Sequence, residues 1–360
     1  IMKRIQSSEY LDLQVVATTM HFSEAFGNTY EQIEKDGFII DEKIENLLSS
    51  DTKRSVAKST GLATILLSDA FYRLDPDTVL LLGDRSETHA AATTAMLMNI
   101  HIAHIHGGEI TEGAIDEKIR HSITKMSSLH FTSTDEYRNR VIQMGENPNS
   151  VFCVGAPGID NIINTSLLSK CDLESELCWK INGVTALFTF HPETLSTIDI
   201  KKEIKRILKV IKSVGINVLF TYANSDNGGM IINNEIEKFV YKDKNKYLVI
   251  KNLGQLKYLS AMKHLDFVIG NTSSGIIEAA SFHKPVVNIG SRQSGRLQSG
   301  NVIDTSIEKL EDSIDKATSA SFVKYCRNVE NIYGDGNASG QIVTILENND
   351  PNIVKKFIDL

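Results

Sequence analysis

The sequence predicts an α/β protein made of two Rossmann-like, doubly wound domains. Short apolar runs alternate with amphipathic helical stretches along the chain, which is the pattern of parallel strands connected by helices. The apolar runs are nearly continuous, as in sheets that are covered by helices on both faces. The chain of 360 residues is also longer than one hydrophobic core usually supports, so we expect two domains.

The candidate strands fall into two series, separated by the polar segment 164–183. The first series comprises 13–19, 78–83, 100–106, 129–134 and 151–156, and the second comprises 184–190, 217–223, 246–252, 266–271 and 285–290. Helical stretches lie at 87–99, 136–145 and 200–215. We therefore expect domains over 1–163 and 164–345. Because ligands of parallel sheets bind outside the carboxyl ends of the strands, we expect the active site in the cleft between the domains.

The composition excludes several classes of protein. With 41% hydrophobic and 23% charged residues, the chain is not disordered. The 38 basic and 45 acidic residues give a net charge of −7, so there is no basic footprint for nucleic acid. No apolar run approaches the roughly 18 residues of a membrane span, and no signal peptide is visible. Because the cysteines form no CxxC pair, we expect reduced thiols in a cytoplasmic protein; they are Cys153, Cys171, Cys178 and Cys326.

The stretch "GDR", residues 83–85, follows a buried strand and precedes a helix. At that position Asp84 could act as an acid or base, and Arg85 could bind a phosphate through two N–H groups. The alternative is that Asp84 caps the helix while Arg85 is solvated.

The stretch "HIHGGE", residues 104–109, follows the next strand. Strand periodicity places His104 and His106 on one face, and Gly107-Gly108 permits positive φ or a close ligand approach, after which Glu109 turns towards the cleft. A zinc site, a structural histidine pair and an acid–base or ligand-binding site are all compatible with this pattern. The sequence favours the last, because no further zinc ligands stand at a familiar spacing.

The segment 112–125 reads as a helix that begins with acidic residues. Asp116 and Arg120 can pair at i, i+4, and a salt-bridged helix face is the simplest interpretation. The crowding of Asp116 with the acids and histidines of the neighbouring strand ends favours a functional role instead, because such clusters tune pKa values.

Loops of the second series carry polar residues suited to a nucleotide. His191 follows one strand, and Asn224 lies in the turn-rich loop 222–229. The loop 269–282 predicts a phosphate cradle of backbone amides and hydroxyls at a helix N-terminus, with Glu278 placed to bind ribose hydroxyls; the cradle residues are Thr272, Ser273, Ser274 and Gly275. Arg292 and Arg296 follow a further strand as anion contacts, or else are exposed loop arginines.

Several motifs occur here in one order: "GDR", "HIHGGEITEGAIDEKIRHSITK", "FHPET", "GNTSSG..E", "GSRQSGR" and "YGDGNAS". Together they resemble the hydrolysing UDP-N-acetylglucosamine 2-epimerases of bacterial sialic-acid synthesis, over essentially the whole chain. The resemblance implies the GT-B fold, UDP bound by the second domain, neither metal nor cofactor, and a homodimer or homotetramer. It also implies a C-terminal helix, over 346–360, that packs back onto the first domain. We expect the family's first strand and its Gly-Ser/Thr-Arg-Ala loop to precede residue 1.

The resemblance further implies the reaction. A base removes the C2 proton of UDP-N-acetylglucosamine while UDP leaves C1, and water adds to the resulting glycal with inversion at C2, giving N-acetylmannosamine. The implied catalytic residues are Asp84, His106, Glu109, Asp116 and His191. The implied substrate-binding and UDP-binding residues are Arg85, His104, Asn224, Thr272, Ser273, Ser274, Gly275, Glu278 and Arg292.

Three questions stay open at this point. Some relatives carry Glu in place of His106, so the base and the acid are unassigned. Relatives with the same motifs act on UDP-2,4-diacetamido-2,4,6-trideoxyglucose, so this sugar is the alternative substrate. A GT-B glycosyltransferase, or a UDP-sugar-binding protein without catalysis, would share the nucleotide cradle but would not need the acidic cluster.

Overall fold

The structure is a computed structural model that describes residues 1–24, 27–48, 50, 52–112, 114–193, 199–224 and 228–359. The motif residues Gly113, Thr194 and 225–227 lie outside the described residues. The chain divides into two compact units. The N-terminal unit comprises Ile1–Ile110, Ile115–Asp160 and Tyr333–Leu360, and the C-terminal unit comprises Thr111–Ala114 and Asn161–Ile332. All strand pairings in the described ranges are parallel, which confirms the predicted α/β class.

The chain returns to the N-terminal unit earlier than we expected. The predicted second domain extends to residue 345, whereas the chain re-enters the N-terminal unit at Tyr333. The carboxylate of Asp160 accepts hydrogen bonds from the backbone N–H groups of Ala338, at 2.9 Å, and Ser339, at 2.5 Å. These long-range hydrogen bonds attach the segment that begins at Tyr333 to the rest of the N-terminal unit. No local sequence pattern predicts them.

The N-terminal unit contains two parallel sheets. Its helices are α1 (Met2–Gln6), α2 (Tyr30–Lys35), α3 (Lys53–Leu74), α4 (Ser86–Leu97), α5 (Asp116–Met126), α6 (Asp135–Gln143) and α15 (Ala338–Asn348), and α7 (Pro157–Asn164) spans the unit boundary. Its strands are β1 (Val16–Thr18), β2 (Glu42–Ile44), β3 (Thr78–Leu82), β4 (His101–Ile105), β5 (Leu129–Thr132) and β6 (Val151–Cys153). One sheet is β1-β2 and the other has the order β3-β4-β5-β6. In the second sheet, β4 and β5 are buried along their whole length.

The C-terminal unit contains one parallel sheet of six strands. Its helices are α8 (Lys170–Leu177), α9 (Ile200–Val214), α10 (Gly229–Val240), α11 (Gly254–His264), α12 (Ser273–Ile277), α13 (Leu310–Thr318) and α14 (Ala320–Cys326). Its strands are β7 (Thr185–Thr189), β8 (Asn217–Thr221), β9 (Tyr247–Ile250), β10 (Phe267–Gly270), β11 (Val286–Ile289) and β12 (Val302–Thr305). The strand order β9-β8-β7-β10-β11-β12 is that of a doubly wound sheet, with its switch point between β7 and β10.

Helix α9 illustrates why these residues form these elements. Its side-chain cap is Asp199, which accepts from the N–H groups of the first turn, and it ends at Gly215 with φ 79°. Between these ends, Ile204, Ile207 and Ile211 recur at helical spacing and are buried in the core. None of the described helices is long and apolar enough to cross a membrane.

The expected helix over 346–360 is wrong. Helix α15 ends at Asn348, and residues 349–359 have no regular secondary structure. Pro351 explains the stop, because proline disfavours the helical conformation of the residue before it and cannot donate to the helix. The segment after Pro351 nevertheless lies on the N-terminal unit, where the N–H of Ile358 donates to the carbonyl of Gly145 at 3.0 Å.

Candidate active site

Three strand ends of the N-terminal unit meet at one edge of its larger sheet. The backbone ladder continues just beyond the strands, because Gly83 N donates to Ile105 O at 3.1 Å and His106 N donates to Phe131 O at 2.9 Å. The stretches "GDR" and "HIHGGE" therefore lie side by side, as the sequence predicted from their positions after neighbouring strands.

Arg120 on α5 joins these loops. Its side chain is buried, and its Nη2 donates to the carboxylate of Asp84. Its Nη1 donates to the backbone carbonyl of Glu109 at 2.7 Å and to Oε2 of Glu117 at 3.0 Å. Glu117 Oε1 in turn lies 2.9 Å from Nε2 of His121. Asp84 therefore does not stand free as a helix cap, and one guanidinium holds the ends of β3, β4 and α5 together.

His106 and Glu109 form a hydrogen-bonded pair, with 2.7 Å between Nδ1 and Oε1. The same Oε1 accepts from the hydroxyl of Ser133 at 3.1 Å. The carboxylate of Glu109 is thus buried in the protein, whereas we expected it to face a ligand. His106 has φ 67°, because β4 ends at Ile105 and the chain turns there.

His104 is a structural residue, which corrects its assignment to substrate binding. It is completely buried; its Nε2 donates to the carbonyl of Gly83 at 2.8 Å and its Nδ1 lies 3.3 Å from the hydroxyl of Thr124. Burial lowers the pKa of His104 to about 3, so the ring is neutral. The predicted shared face with His106 is also wrong, because the left-handed backbone of His106 interrupts the strand alternation.

Gly108, the second residue of the glycine pair, packs against a helix. Gly108 has φ 80°, and a Cβ atom built on it would lie 2.4 Å from the carbonyl oxygen of Tyr137 on α6. The carbonyl of Gly108 also accepts from Nη1 of Arg140 at 2.5 Å. The close approach that the sequence indicated is therefore made by α6.

Asp116 and Arg85 are two further predicted site residues of the N-terminal unit. Asp116 is buried at the first position of α5. Arg85 precedes α4 and its Nε lies 3.5 Å from Oε1 of Glu87 in the first turn of that helix.

In the C-terminal unit, His191 follows β7 at the switch point. The N–H of His191 donates to Asn271 Oδ1 at 2.7 Å, and its carbonyl accepts from Asn271 Nδ2 at 2.9 Å. Its Nδ1 accepts from the N–H of Asn224 at 3.2 Å. The neutral ring therefore carries its proton on Nε2, which makes that nitrogen a donor. The sequence predicted His191 and Asn224 but missed Asn271, which joins the two strands of the switch point.

The predicted phosphate cradle begins at a glycine whose backbone conformation and close neighbour leave no room for a side chain. Gly270 has φ 135°, and a Cβ atom there would lie 1.9 Å from the carbonyl oxygen of Thr189. Thr272 caps α12 by accepting from the N–H of Ser274 at 3.4 Å. Gly275 lies against β11, where a Cβ would be 3.2 Å from Val286. The helix α12 has only five residues, so it is shorter than the helix that we expected.

Glu278 follows α12 and lies close to Tyr258 on α11. Burial, together with the charge of Glu278, raises the pKa of Tyr258 to about 12. The phenol consequently stays protonated beside the cradle.

The loop of Arg292 is anchored by Glu193 of the "FHPET" stretch. Glu193 Oε1 accepts from the N–H groups of Ser291, at 2.6 Å, and Arg292, at 3.1 Å, and Oε2 accepts from the Ser291 hydroxyl at 2.9 Å. Arg292 Nη1 donates to the carbonyl of Asn271 at 3.2 Å. Arg292 and Arg296 are both buried, so they are not exposed loop arginines. The role of Glu193 depends on a partner 98 residues away, so no local sequence pattern predicts it.

Among the described residues, no group of three or more His, Cys, Asp or Glu side chains is placed to hold a metal ion. His104 contacts a backbone carbonyl, and His106 and His121 each contact a carboxylate.

A family model described as UDP-N-acetylglucosamine 2-epimerase matches residues 3–347. A GDP/UDP-N,N′-diacetylbacillosamine 2-epimerase (hydrolyzing) of Campylobacter jejuni is 44% identical over 319 residues, which cover 88% of this chain and 83% of that protein. A UDP-N,N′-diacetylbacillosamine 2-epimerase (hydrolyzing) of Legionella pneumophila is 34% identical over 349 residues, covering 96% and 91% of the two chains.

Solved structures support the same fold. The UDP-GlcNAc 2-epimerase of Neisseria meningitidis bound to UDP-GlcNAc matches with a TM-score of 0.81 at 21% identity, covering 97% of this chain and 95% of that one. At this identity the likeness concerns the fold. Together with the two Rossmann-like units, it confirms the expected GT-B fold.

Proposed function

Because the chain belongs to the UDP-N-acetylglucosamine 2-epimerase family and is a hydrolysing UDP-sugar 2-epimerase, we propose that its substrate is UDP-N,N′-diacetylbacillosamine. This sugar nucleotide is UDP-2,4-diacetamido-2,4,6-trideoxyglucose, the alternative substrate that the resemblance leaves open. The observation that carries the proposal is the 44% identity to a relative whose name states this substrate. UDP-N-acetylglucosamine, which the motifs first favoured, becomes the second candidate.

The proposed reaction has two halves. In the first, a base takes the C2 proton, the electrons of the C2–H bond form the C1=C2 bond of a glycal, and the C1–O bond breaks to release UDP. In the second, water adds its oxygen to C1 and C2 receives a proton on the opposite face. The products are UDP and free 2,4-diacetamido-2,4,6-trideoxymannose. The reaction needs a positioned base and donors for the departing diphosphate.

We assign the sugar chemistry to the strand ends of the N-terminal unit. The side chains concerned are Asp84, His106, Glu109 and Asp116. Two observations support this assignment: the His106–Glu109 pair is a ready proton-transfer group, and the buried Arg120 holds Asp84 in place. Clusters of ionisable groups at strand ends are typical of active sites.

We assign the nucleotide to the switch point of the C-terminal unit, where donors gather. His191 presents a donor nitrogen, and Arg292 carries a positive charge. The remaining residues assigned here are Asn224, Thr272, Ser273, Ser274, Gly275 and Glu278, and we add Arg85 of the N-terminal unit as a phosphate contact. Fixed donors of this kind stabilise the negative charge that develops on a leaving diphosphate.

The test is to incubate the protein with each UDP-sugar in D₂O and to follow the products by NMR. We expect UDP release from UDP-N,N′-diacetylbacillosamine, with deuterium at C2 of the free mannose-configured sugar. Turnover of UDP-N-acetylglucosamine alone would transfer the assignment to that sugar. If neither is consumed, or if an added acceptor becomes glycosylated instead, the proposed function is wrong.

A pair of variants ties turnover to the site. Asp84→Asn should lower kcat by about 10²-fold or more, because the amide cannot act as an acid or a base. Asp77→Asn, at an exposed position before β3, should leave kcat unchanged. The assembly into a homodimer or homotetramer stays a prediction, which light scattering on the purified protein can test.

A further inference from the structure

The exposed member of the His106–Glu109 pair is the imidazole. The side chain of His106 is 15% exposed, whereas that of Glu109 is 2% exposed. Oε1 of Glu109 is already engaged by two groups, Nδ1 of His106 and the hydroxyl of Ser133. Asp84 is likewise engaged, by the guanidinium of Arg120. The side chain of Asp84 is 20% exposed, but its carboxylate is paired with a guanidinium, which weakens it as a base, whereas the imidazole of His106 is paired with an anion. The imidazole is therefore the stronger candidate for the base.

The hydrogen bond to Glu109 decides which nitrogen of His106 can accept a proton. An ionised carboxylate only accepts hydrogen bonds, so Nδ1 of His106 carries the ring proton. In the neutral imidazole the lone pair is then on Nε2. A histidine oriented by a carboxylate in this manner is the arrangement that makes imidazole an effective general base.

The backbone of His106 supports the same interpretation. With φ 67°, His106 adopts a left-handed conformation that a residue with a side chain rarely takes. Such positions recur at functional sites, where the surrounding structure holds them in place. Here the turn takes His106 out of the alternation of β4 and brings its ring to Glu109, three residues further along the chain.

We propose, on the basis of the proposed function, that His106 is the base that removes the C2 proton of the UDP-sugar. Its Nε2 lone pair takes the proton, the C2–H electrons form the C1=C2 bond, and the C1–O electrons leave with UDP. The imidazolium that forms is stabilised by the negative charge of Glu109. Its proton then passes to water, and C2 receives another proton on the opposite face, so solvent hydrogen enters the product. Glu109 and Ser133 are positioning residues.

The charged groups that bind the loop of His106, or pair with a group that does, come from four elements. Glu109 lies in the same loop, Asp84 follows β3, Arg120 is on α5, and Arg140 on α6 binds the neighbouring carbonyl of Gly108. Arg120 also binds Glu117, and Arg140 also binds Glu136, so four carboxylates accompany the two guanidiniums. Glu109 is the carboxylate that contacts the ring of His106.

The first test is His106→Gly, which suits the positive φ and so should fold. We expect kcat to fall by about 10³-fold and deuterium incorporation at C2 to be lost with it, while the Kd for UDP stays within about threefold of wild type. His283→Asn, an exposed residue with φ 54°, is the matched control and should retain full activity. His106→Gly that still incorporates deuterium within about tenfold of the wild-type rate overturns the proposal.

The second test uses the pH profile of kcat/KM. A carboxyl group titrates near 4.3 and an imidazole near 6.5, so His106→Glu should shift the acid limb to lower pH. Glu109→Gln should also lower this limb, because removing the adjacent negative charge disfavours the imidazolium. An acid limb that coincides in wild type and His106→Glu contradicts the assignment. If the wild-type protein consumes neither sugar, the proposed function itself is wrong. If the wild type and His106→Gly are both active, only the assignment of His106 as the base is wrong.

Discussion

The guanidinium of Arg120 on α5 is buried and donates to the carboxylate of Asp84 at the end of β3. The two residues are 36 positions apart, and the same guanidinium also binds the backbone carbonyl of Glu109. The ion pair therefore links the two loops to which we assign the sugar chemistry. Its loss should affect stability and activity together.

Arg120→Met should lower the free energy of unfolding by about 3 kcal/mol, because it leaves Asp84 and Glu117 without their buried cation. We take the lower end of the range for such pairs, since Asp84 is partly exposed. Urea unfolding measures the loss, and kcat should fall as well. The matched control is Arg206→Met, whose ion pair with Glu308 is exposed at 57% and 64%; its loss should be within about 1 kcal/mol. Equal losses of unfolding free energy in the two variants would show that the Arg120–Asp84 pair stabilises the protein no more than an exposed ion pair does.

His104 makes stability depend on pH in a defined window. Burial lowers its pKa in the folded protein to about 3, whereas in the unfolded chain it titrates near 6.5. Between these values unfolding takes up a proton, so stability contributed by neutral His104 is present above pH 6.5 and is lost as the pH falls towards 3. His130, whose pKa is also lowered by burial, acts in the same direction.

His104→Gln removes this titration and should flatten the acid slope. From pH 6.5 to 5, the wild type should lose about 2 kcal/mol more than the variant, since each proton contributes about 1.4 kcal/mol per pH unit. Urea unfolding at the two pH values measures the difference. Parallel slopes in wild type and His104→Gln would contradict a neutral buried His104, while His283→Asn controls for an exposed histidine.

Lys355 fastens the C-terminal segment to the end of α5. Its Nζ donates to the carbonyls of Thr124, at 3.2 Å, Lys125, at 2.8 Å, and Ser127, at 2.6 Å, and lies 2.7 Å from Oε2 of Glu146. Burial would raise the pKa of Glu146, but hydrogen bonds from His130, Lys125 and Lys355 outweigh it and hold the value at about 2.

Lys355→Met should lower the free energy of unfolding by about 2 kcal/mol, because it removes charge-assisted hydrogen bonds from a buried carboxylate and a helix end. The neighbouring Lys356 is exposed, so Lys356→Met should change stability by no more than about 0.5 kcal/mol. Limited proteolysis of the C-terminal segment gives a second readout. If both variants are equally stable, the anchoring role of Lys355 is wrong.

Glu193→Ala should weaken UDP binding, because the loop of Arg292 loses three hydrogen bonds to that carboxylate. We expect Kd for UDP to rise by about tenfold, equivalent to 1.4 kcal/mol, as measured by titration calorimetry. Glu311→Ala, on the exposed side of α13, is the control and should bind UDP as the wild type does. Unchanged affinity in Glu193→Ala would separate this loop from the nucleotide.

The strands show what hydrophobic pattern can and cannot predict. All ten candidate strands are present, with ends that differ by a few residues. The hydrophobic pattern does not predict β2 and β12, which are edge strands. Their polar segments "EKI" and "VIDT" carry no continuous apolar run, since an edge strand is buried on fewer sides than a central one.

The sequence by itself determined the fold class and the strand ends at which Asp84, His106 and His191 lie, because those depend on local periodicity and on the residues that follow each apolar run. Only the tertiary structure decided what each side chain does there. Arg120 forms an ion pair with Asp84, and the carboxylate of Glu109 orients the ring of His106. His104 is a buried structural residue that donates to the carbonyl of Gly83. The physical reason is that burial and pairing are set by contacts between segments distant in sequence, and a local pattern contains no information about them.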